Sequence, residues 1–228
     1  MFHYAVIVNT IAVILGGTFG TIFGKGIPEK YKVILFNAVG LTTLAMGVRM
    51  IMEGKEFLLI LGSLALGGVI GTLFGIEEKL QGLANYMNRK KKDEASFAKG
   101  FVTASVLFLV GPMTIIGSIN IGVSGDPNLI LIKSLLDGIS STILSSLFGA
   151  GVIFSAIMVF LVQGLLVSFA STLKFLATPE FLGDFVGVGG VMILGLGLRI
   201  LEIRDIKVGN FLPALLIIPF FDWLKMFF

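Results

Sequence analysis

Apolar stretches long enough to cross a bilayer recur along the whole chain, separated by short polar segments. A helix needs about 20 mainly apolar residues to span the hydrocarbon layer. This pattern predicts an all-α polytopic membrane protein of about eight transmembrane helices. The predicted spans cover residues 4–23, 33–52, 57–76, 100–122, 129–148, 150–172, 184–201 and 208–227. Together they form a single integral membrane domain, 1–228, in which the longest polar stretch, 77–99, is predicted to be a cytoplasmic loop.

The fifth predicted span carries a stripe of polar residues on one helical face. These residues recur at helical spacing and are Lys133, Ser134, Asp137, Ser140, Ser141 and Ser145. A charged residue in a span costs about 2.5–3.5 kcal/mol on insertion scales and normally faces a protein interior or a water-filled cavity. Asp137 is therefore the first functional candidate, as part of a polar pathway or a proton or cation site. The structural alternative is a pair with Lys133 that neutralises itself on a snorkelling edge helix.

The distribution of Lys and Arg favours eight spans with both termini outside. Cytoplasmic segments carry the excess of these residues. In the eight-span order twelve fall inside, namely Lys25, Lys30, Lys32, Lys79, Arg89, Lys90, Lys91, Lys92, Lys99, Arg199, Arg204 and Lys207. Four fall outside, namely Arg49, Lys55, Lys174 and Lys225. Seven spans with a re-entrant fifth segment remain the alternative, with a weaker bias.

Composition narrows the class of protein further. Hydrophobic residues make up 56% of the chain and charged residues only 14%, against about a quarter charged in a soluble domain. A net charge of +3 does not indicate a nucleic-acid partner. The absence of cysteine excludes disulfides and thiolate metal sites. Because no serine elbow, His–Glu metal pattern or paired intramembrane carboxylates are visible, we expect no enzyme, no catalytic residues, no metal site and no cofactor.

Two internal similarities suggest repeats. Residues 15–24, LGGTFGTIFG, recur as 66–75, LGGVIGTLFG, with seven of ten positions identical. Small residues four apart let helices approach closely in lipid. A weaker similarity, at an offset of 150, aligns Gly40, Leu44, Gly47 and Arg49 with Gly190, Leu194, Gly197 and Arg199. In the eight-span order these segments run in opposite directions, which predicts an inverted repeat of spans 1–3 and 6–8, as in many secondary transporters.

Further candidates lie in other spans. Gly111 and Pro112 interrupt the fourth span, and a mid-span Pro kinks or breaks a helix and frees carbonyls. The side chains close enough to line such a break are Thr114, Ser118 and Asn120. Gln163 in the sixth span is uncharged, so joining helices is favoured over solute binding as its role. Asn9 in the first span carries the same ambiguity.

Several of these segments resemble one bacterial membrane family, the domain of unknown function 554 or YqgA/YdfK-like proteins. The resemblance is carried by Asn9-x-x-Ala12-Val13-x-x-Gly16-Gly17-x-x-Gly20, Gly100–Ser105, Gly111-Pro112-Met113-x-x-x-Gly117-Ser118-Ile119, Lys133-Ser134-x-x-Asp137-Gly138 and Asn210-x-Leu212-Pro213-Ala214. It covers essentially the whole chain and implies a bacterial membrane protein, but it supplies no substrate.

These patterns together favour a secondary transporter or permease for a small polar solute or ion in the bacterial cytoplasmic (inner) membrane. An ion channel, or a structural or regulatory membrane protein that transports nothing, is the alternative. The expected partners are the lipid bilayer and the solute, and homo-oligomerisation is left open.

Overall fold

The computed structural model describes residues 3–88 and 94–225, and every regular element in these ranges is helical. The α-helices are α1 Tyr4–Gly24, α2 Glu29–Ile51, α3 Phe57–Leu73, α4 Ile76–Met87, α5 Glu94–Leu109, α6 Pro112–Ser124, α7 Asn128–Phe148, α8 Gly151–Ser168, α9 Ala170–Leu173, α10 Pro179–Ile200 and α11 Ala214–Lys225. Two 3₁₀ helices cover Lys174–Ala177 and Val208–Phe211. The basic run 89–92, on which part of the predicted charge bias rests, lies outside the described residues.

The helices match the predicted membrane spans closely. Among the described residues, six helices are long and apolar enough to cross a bilayer, and two bent pairs bring the number to eight if each pair is one span. The fifth predicted span is α7, a helix of 21 residues, which is long enough to cross. The segment 77–99, predicted as a loop, instead contains most of α4 and the beginning of α5.

Both bent pairs have an identifiable local cause. Between α3 and α4 the axis turns by 53° at Gly75, whose φ of +60° is readily adopted only without a side chain. Between α5 and α6 the axis turns by 58°. There Pro112 is the first residue of α6 and Gly111 is its N-cap, in extended conformation. The predicted break in the fourth span is therefore present, because proline cannot continue the hydrogen bonding of α5.

The described helices group into two compact units. Unit 1 contains residues 1–32 and 80–177, and unit 2 contains residues 33–79 and 178–228. Unit 1 therefore holds α1 and α5–α9, whereas unit 2 holds α3, α10, α11 and nearly all of α2.

In unit 1 the glycines of residues 15–24, the first glycine motif, let α1 pack directly against α7. A Cβ added at Gly16 would lie 2.1 Å from the carbonyl oxygen of Gly138, and one at Gly20 would lie 2.0 Å from that of Thr142. Because the contacts advance in the same direction along both helices, α1 and α7 run parallel. The eight-span order requires the same direction for the first and fifth spans.

Substitution at this contact should be costly. Gly20→Ala is expected to destabilise unit 1 by about 1–3 kcal/mol, since overpacking forces the helices apart. Gly82→Ala on α4 is the matched control, because no atom lies within 4 Å of a Cβ placed there. Thermal unfolding of the two purified variants in detergent measures the difference. Equal unfolding temperatures would show that the α1–α7 contact does not limit stability.

In unit 2 the glycines at the offset of 150 face one another across α2 and α10. A Cβ at Gly47 would lie 2.7 Å from the Leu194 amide nitrogen, and one at Gly197 would lie 2.7 Å from Leu44 Cδ2. The pair Gly47–Leu194 becomes the pair Gly197–Leu44 when 150 is added to or subtracted from each number. The contacts run in opposite directions, so the two helices are antiparallel.

The second glycine motif, residues 66–75, likewise allows close packing against α3. A Cβ at Gly67 would lie 2.5 Å from the Ala214 amide nitrogen, and one at Gly71 would lie 1.9 Å from the Asn210 carbonyl oxygen. The chain leading into α11 therefore lies directly on α3, and α3 and α11 run antiparallel.

Large apolar side chains cover the outer faces of both units. Leu135 on α7 is 71% exposed and Leu216 on α11 is 81% exposed. Exposed apolar surface of this extent marks contact with lipid or with other proteins.

Candidate functional site

The Asp137 carboxylate is buried inside unit 1 and holds two donors on one oxygen. Asp137 is 6% exposed. Its Oδ2 accepts a hydrogen bond from Lys133 Nζ at 2.5 Å and another from Asn9 Nδ2 at 3.0 Å. Asn9 reaches this position because the glycines of α1 bring its backbone against α7. The carboxylate faces protein rather than lipid, as its cost in hydrocarbon requires.

Lys133 is also buried, so the alternative of a pair on a snorkelling edge helix does not hold. Its Nζ lies 5.8 Å from the centre of the Phe108 ring, in the last turn of α5. The Phe108 carbonyl, freed by the break, accepts a hydrogen bond of 2.9 Å from Thr114 Oγ1. The ion pair therefore lies beside the Gly111–Pro112 break.

An apolar layer crosses unit 1 on one side of this ion pair. Four helices contribute to it, α1, α6, α7 and α8, through Ala5, Val6, Ile121, Ile130 and Val167, with Leu131 and Phe160 packed against them. Two of its helices, α6 and α7, also meet where Gly117 packs against Ile130.

One helical turn from the apolar layer, each of the four helices presents a buried polar residue. Residues three or four apart share a helix face. On α1 and α7, the polar residues lie three or four positions after the apolar ones: Asn9 follows Val6, and Lys133 and Ser134 follow Ile130. On α6 and α8, they lie three or four positions before the apolar ones: Ser118 precedes Ile121, and Gln163 precedes Val167. Since α6 and α8 run opposite to α1 and α7, all these steps point the same way. We call Asn9, Ser118, Lys133, Ser134, Asp137 and Gln163 the polar layer.

Several atoms of the polar layer have no hydrogen-bond partner. They are Asn9 Oδ1, Ser118 Oγ and both Gln163 side-chain atoms, Oε1 and Nε2. Buried polar groups are normally satisfied, and an unsatisfied group in hydrocarbon costs several kcal/mol. The layer is therefore suited to hold water or a small polar molecule.

Serines on α7 extend from the polar layer to a cleft at the other end of unit 1. Ser141 and Ser145 follow Asp137 at intervals of four, and both are buried. Ser141 donates to the Val13 carbonyl at 2.8 Å, whereas Ser145 Oγ has no partner. Ser145 also lines a cleft of about 400 Å³ whose wall includes Lys25 and Lys32.

The remaining predicted residues lie at the margins of this site. Ser140 is half-buried on α7. Gly111 and Pro112 form the break itself and contribute backbone rather than side chains. Asn120 is half-buried and lies two residues beyond Ser118, so it points away from the polar layer.

Sequence reasoning missed a buried ion pair in unit 2. Glu77, placed in the predicted loop, is fully buried in the first turn of α4. Its carboxylate accepts from Arg199 Nη1 at 2.7 Å and from the Gly209 amide at 2.8 Å. Arg199 Nε also pairs with Asp205 Oδ1 at 3.0 Å. The Glu77 amide donates to Asn210 Oδ1 at 2.8 Å, so Asn210 caps α4 rather than its own helix.

Paired carboxylates are present after all, and their expected absence is wrong. Asp184 on α10 and Asp222 on α11 are both buried, and their side chains lie close enough to interact. The two residues are far apart in sequence, and each lies near the end of a span. Only the packing of α10 on α11 brings them together, so no local spacing could reveal the pair.

Comparison with known proteins identifies the family. The family model described as Protein of unknown function (DUF554) matches residues 4–223. The chain belongs to the DUF554 family. YdfK of Bacillus subtilis (strain 168), described as an uncharacterized membrane protein, is 35% identical over 220 residues, which are 95% of this chain and 94% of YdfK. YqgA of Escherichia coli (strain K12), described as an uncharacterized protein, is 32% identical over 217 residues, 92% of each chain.

No solved structure matches this DUF554 chain. The resemblance noted from the sequence is thus confirmed, and it agrees with the apolar helices in identifying a membrane protein. Neither relative's description assigns a substrate or a site residue, so the function has to be argued from the polar layer itself.

Proposed function

We propose that this DUF554 protein is a secondary transporter or permease for a small polar solute, and that the polar layer of unit 1 is its binding site. The observation that carries the proposal is the set of buried atoms without partners on Asn9, Ser118 and Gln163, of which Asn9 is hydrogen-bonded to the Asp137 carboxylate. A protein that used these residues only to join helices would pair them with one another.

The charge of the polar layer favours a neutral or zwitterionic solute over a bare ion. Lys133 and Asp137 cancel each other, and the other members are amides and hydroxyls. An amide offers both donors and acceptors, which suits a solute with hydroxyl, amide or ammonium–carboxylate groups. A zwitterion could also exchange its own charges with those of the Lys133–Asp137 pair without leaving a net charge in the site.

The two sides of the layer differ in composition, and we infer from this difference the side on which a solute enters. Buried serines of α7 lie between the layer and the cleft at Ser145, whereas the apolar layer of Val6, Ile121, Ile130 and Val167 lies on the opposite side. With the predicted topology, the cleft faces the cytoplasm. We therefore propose that the solute reaches the layer from the cytoplasmic side, in the bacterial cytoplasmic membrane.

The proposal extends to an inverted repeat of spans 1–3 and 6–8. Three observations support it: α1 packs on α8, α2 on α10 and α3 on α11, each within its own unit. These are the three pairs that the offset of 150 relates. The α2–α10 contact also exchanges Gly47–Leu194 with Gly197–Leu44 under that offset. Rocking of inverted repeats about a central site is a common basis of alternating access.

A structural membrane protein is the second candidate, and the Lys133–Asp137 pair is the observation that favours it. A closed ion pair needs no solute. The unpartnered Gln163 separates the two functions, because a structural role does not explain an amide without partners.

The test combines Gln163→Met with uptake into liposomes. The probes are radiolabelled zwitterionic amino acids and neutral polyols, with Na⁺ and K⁺ for comparison. We expect saturable uptake of at least one zwitterionic or neutral probe by the wild type. Gln163→Met should abolish that uptake yet leave the unfolding temperature unchanged or raised, since it removes two unsatisfied polar atoms at nearly constant volume. Asp137→Asn should also abolish uptake, because the amide cannot carry the charge.

Leu161→Met is the matched control on the same helix, because Leu161 lies on the exposed face of α8. It should transport as the wild type does. Uptake by Gln163→Met at the wild-type rate would remove Gln163 from the binding site. Absence of saturable uptake of every probe by the wild type would favour the structural candidate, and conductance of Na⁺ or K⁺ without saturation would favour a channel.

A further inference from the structure

A second buried polar cluster lies in unit 2, where α3 begins and α11 ends. Asp184 is 1% exposed on α10, and its Oδ1 accepts hydrogen bonds from the Lys55 amide at 2.5 Å and the Glu56 amide at 2.9 Å. These amides precede the first turn of α3, so Asp184 caps that helix. One oxygen of Asp184 is thereby fixed by two backbone donors.

The neighbouring carboxyl of Asp222 lacks such donors. Asp222 is 7% exposed, its side chain contacts that of Asp184, and its Oδ2 is buried without a partner. An unpartnered ionised oxygen next to a second carboxylate is far more costly than a neutral carboxylic acid in the same place. Two carboxylates in such contact cannot both ionise readily.

From this geometry we infer that Asp184 and Asp222 form a proton-binding site, with the proton held on Asp222 and directed at the Asp184 carboxylate. The chemistry is a reversible O–H bond at Asp222, whose proton exchanges with water. The inference rests on unit 2 alone and does not depend on the proposed transport function.

The other charged groups facing Asp222 come from two elements. Lys225 follows on the same helix, and Glu56 lies at the beginning of α3. Lys225 and Glu56 form an ion pair with each other. Because that pair is exposed and self-neutralising, it leaves the Asp184–Asp222 contact as the dominant interaction of the Asp222 carboxyl.

The test uses dicyclohexylcarbodiimide, an apolar reagent that adds to protonated carboxyls in water-poor sites. The full chain in liposomes is treated across a range of pH, and the modified residues are mapped by peptide mass spectrometry. We expect Asp222 to react with the reagent at mildly acidic pH and to remain unlabelled at alkaline pH. Asp126, in the exposed turn before α7, serves as the internal control and should remain unlabelled.

Two further arms make the result decisive. Asp184→Asn removes the neighbouring negative charge, so the pH profile of Asp222 labelling should shift toward acid. Added Na⁺ at constant pH should leave the labelling unchanged. No labelling of Asp222 at any pH, labelling that ignores pH, or protection by Na⁺ would overturn the proposal. Should Asp184→Asn fail to fold, the wild-type profile alone decides.

Discussion

Replacing Lys133 with methionine is expected to lower the free energy of unfolding by about 3–5 kcal/mol, because it leaves the Asp137 carboxylate buried without its counter-charge. Asp137 would keep only the hydrogen bond from Asn9 among the two that its Oδ2 accepts. Asp137→Leu should cost a similar amount, since it strands the Lys133 ammonium in a site where the Phe108 ring is a weak substitute.

The double variant Lys133→Met/Asp137→Leu separates stability from function. Replacing a whole buried ion pair by apolar residues of similar size is often neutral or stabilising. The double variant should therefore recover most of the stability that either single variant loses. It should nevertheless remain inactive in the uptake assay, because the polar layer has lost both charges.

Unfolding of the four proteins in detergent, combined with uptake, measures both properties. Lys32→Met is the control for stability, because Lys32 pairs with the largely exposed Glu29 at 3.4 Å, and such surface pairs contribute at most about 1 kcal/mol. Uptake by the double variant at the wild-type rate would remove Asp137 from the solute path. Single variants as stable as the wild type would show that the ion pair is energetically unimportant.

Local pattern was enough to predict the helices and the place of Asp137. The spans are long apolar runs, and their lengths follow from the thickness of the bilayer. The stripe on α7 follows from helical period alone, and the cost of a carboxylate in lipid is enough to predict that Asp137 faces protein. The Gly111–Pro112 break is equally local, since proline disrupts helical hydrogen bonding whatever its neighbours are.

The membership of the polar layer could not be predicted in the same way. Gln163 and Asn9 carry no charge, and a buried amide is as compatible with helix packing as with solute binding. They become informative only when the register of α1 and α8 places them beside α7. That register is set by contacts such as Gly20 against Thr142, which depend on which helices pair.

Helix partners are also why the division into two units was not foreseen. Chain order suggests that α1 packs with α2 and α3, but α1 lies with α7 and α8 in unit 1. The two glycine motifs are alike in sequence, yet one receives α7 in a parallel contact and the other receives the chain before α11. A surface of small residues predicts a close helix contact but does not identify the partner helix.

The same limit applies to Glu77, which the polar stretch predicts to lie in a loop but which is fully buried. Glu77 lies where Gly75 turns the chain from α3 into α4, next to Arg199 in the last turn of α10. Its carboxylate binds Arg199 and the Gly209 amide, two groups that belong to segments more than a hundred residues later. An acidic residue in a polar stretch gives no sign of such partners.

Glu77→Gln should therefore destabilise unit 2 by about 3 kcal/mol, toward the lower end of the range for a broken buried ion pair, because Arg199 keeps Asp205 as a partner. Glu78→Gln is the matched control one residue away. Glu78 pairs with Lys207 at 2.6 Å, but both side chains are more than half exposed, and solvent screens such a pair. It should unfold as the wild type does. The paired variant Glu77→Leu/Arg199→Met should regain stability, since it leaves no stranded charge. Thermal unfolding in detergent and cleavage by a protease between α3 and α4 report on the same region by independent means. If Glu77→Gln and Glu78→Gln were equally stable, the buried cluster would contribute nothing to holding α4 against α10.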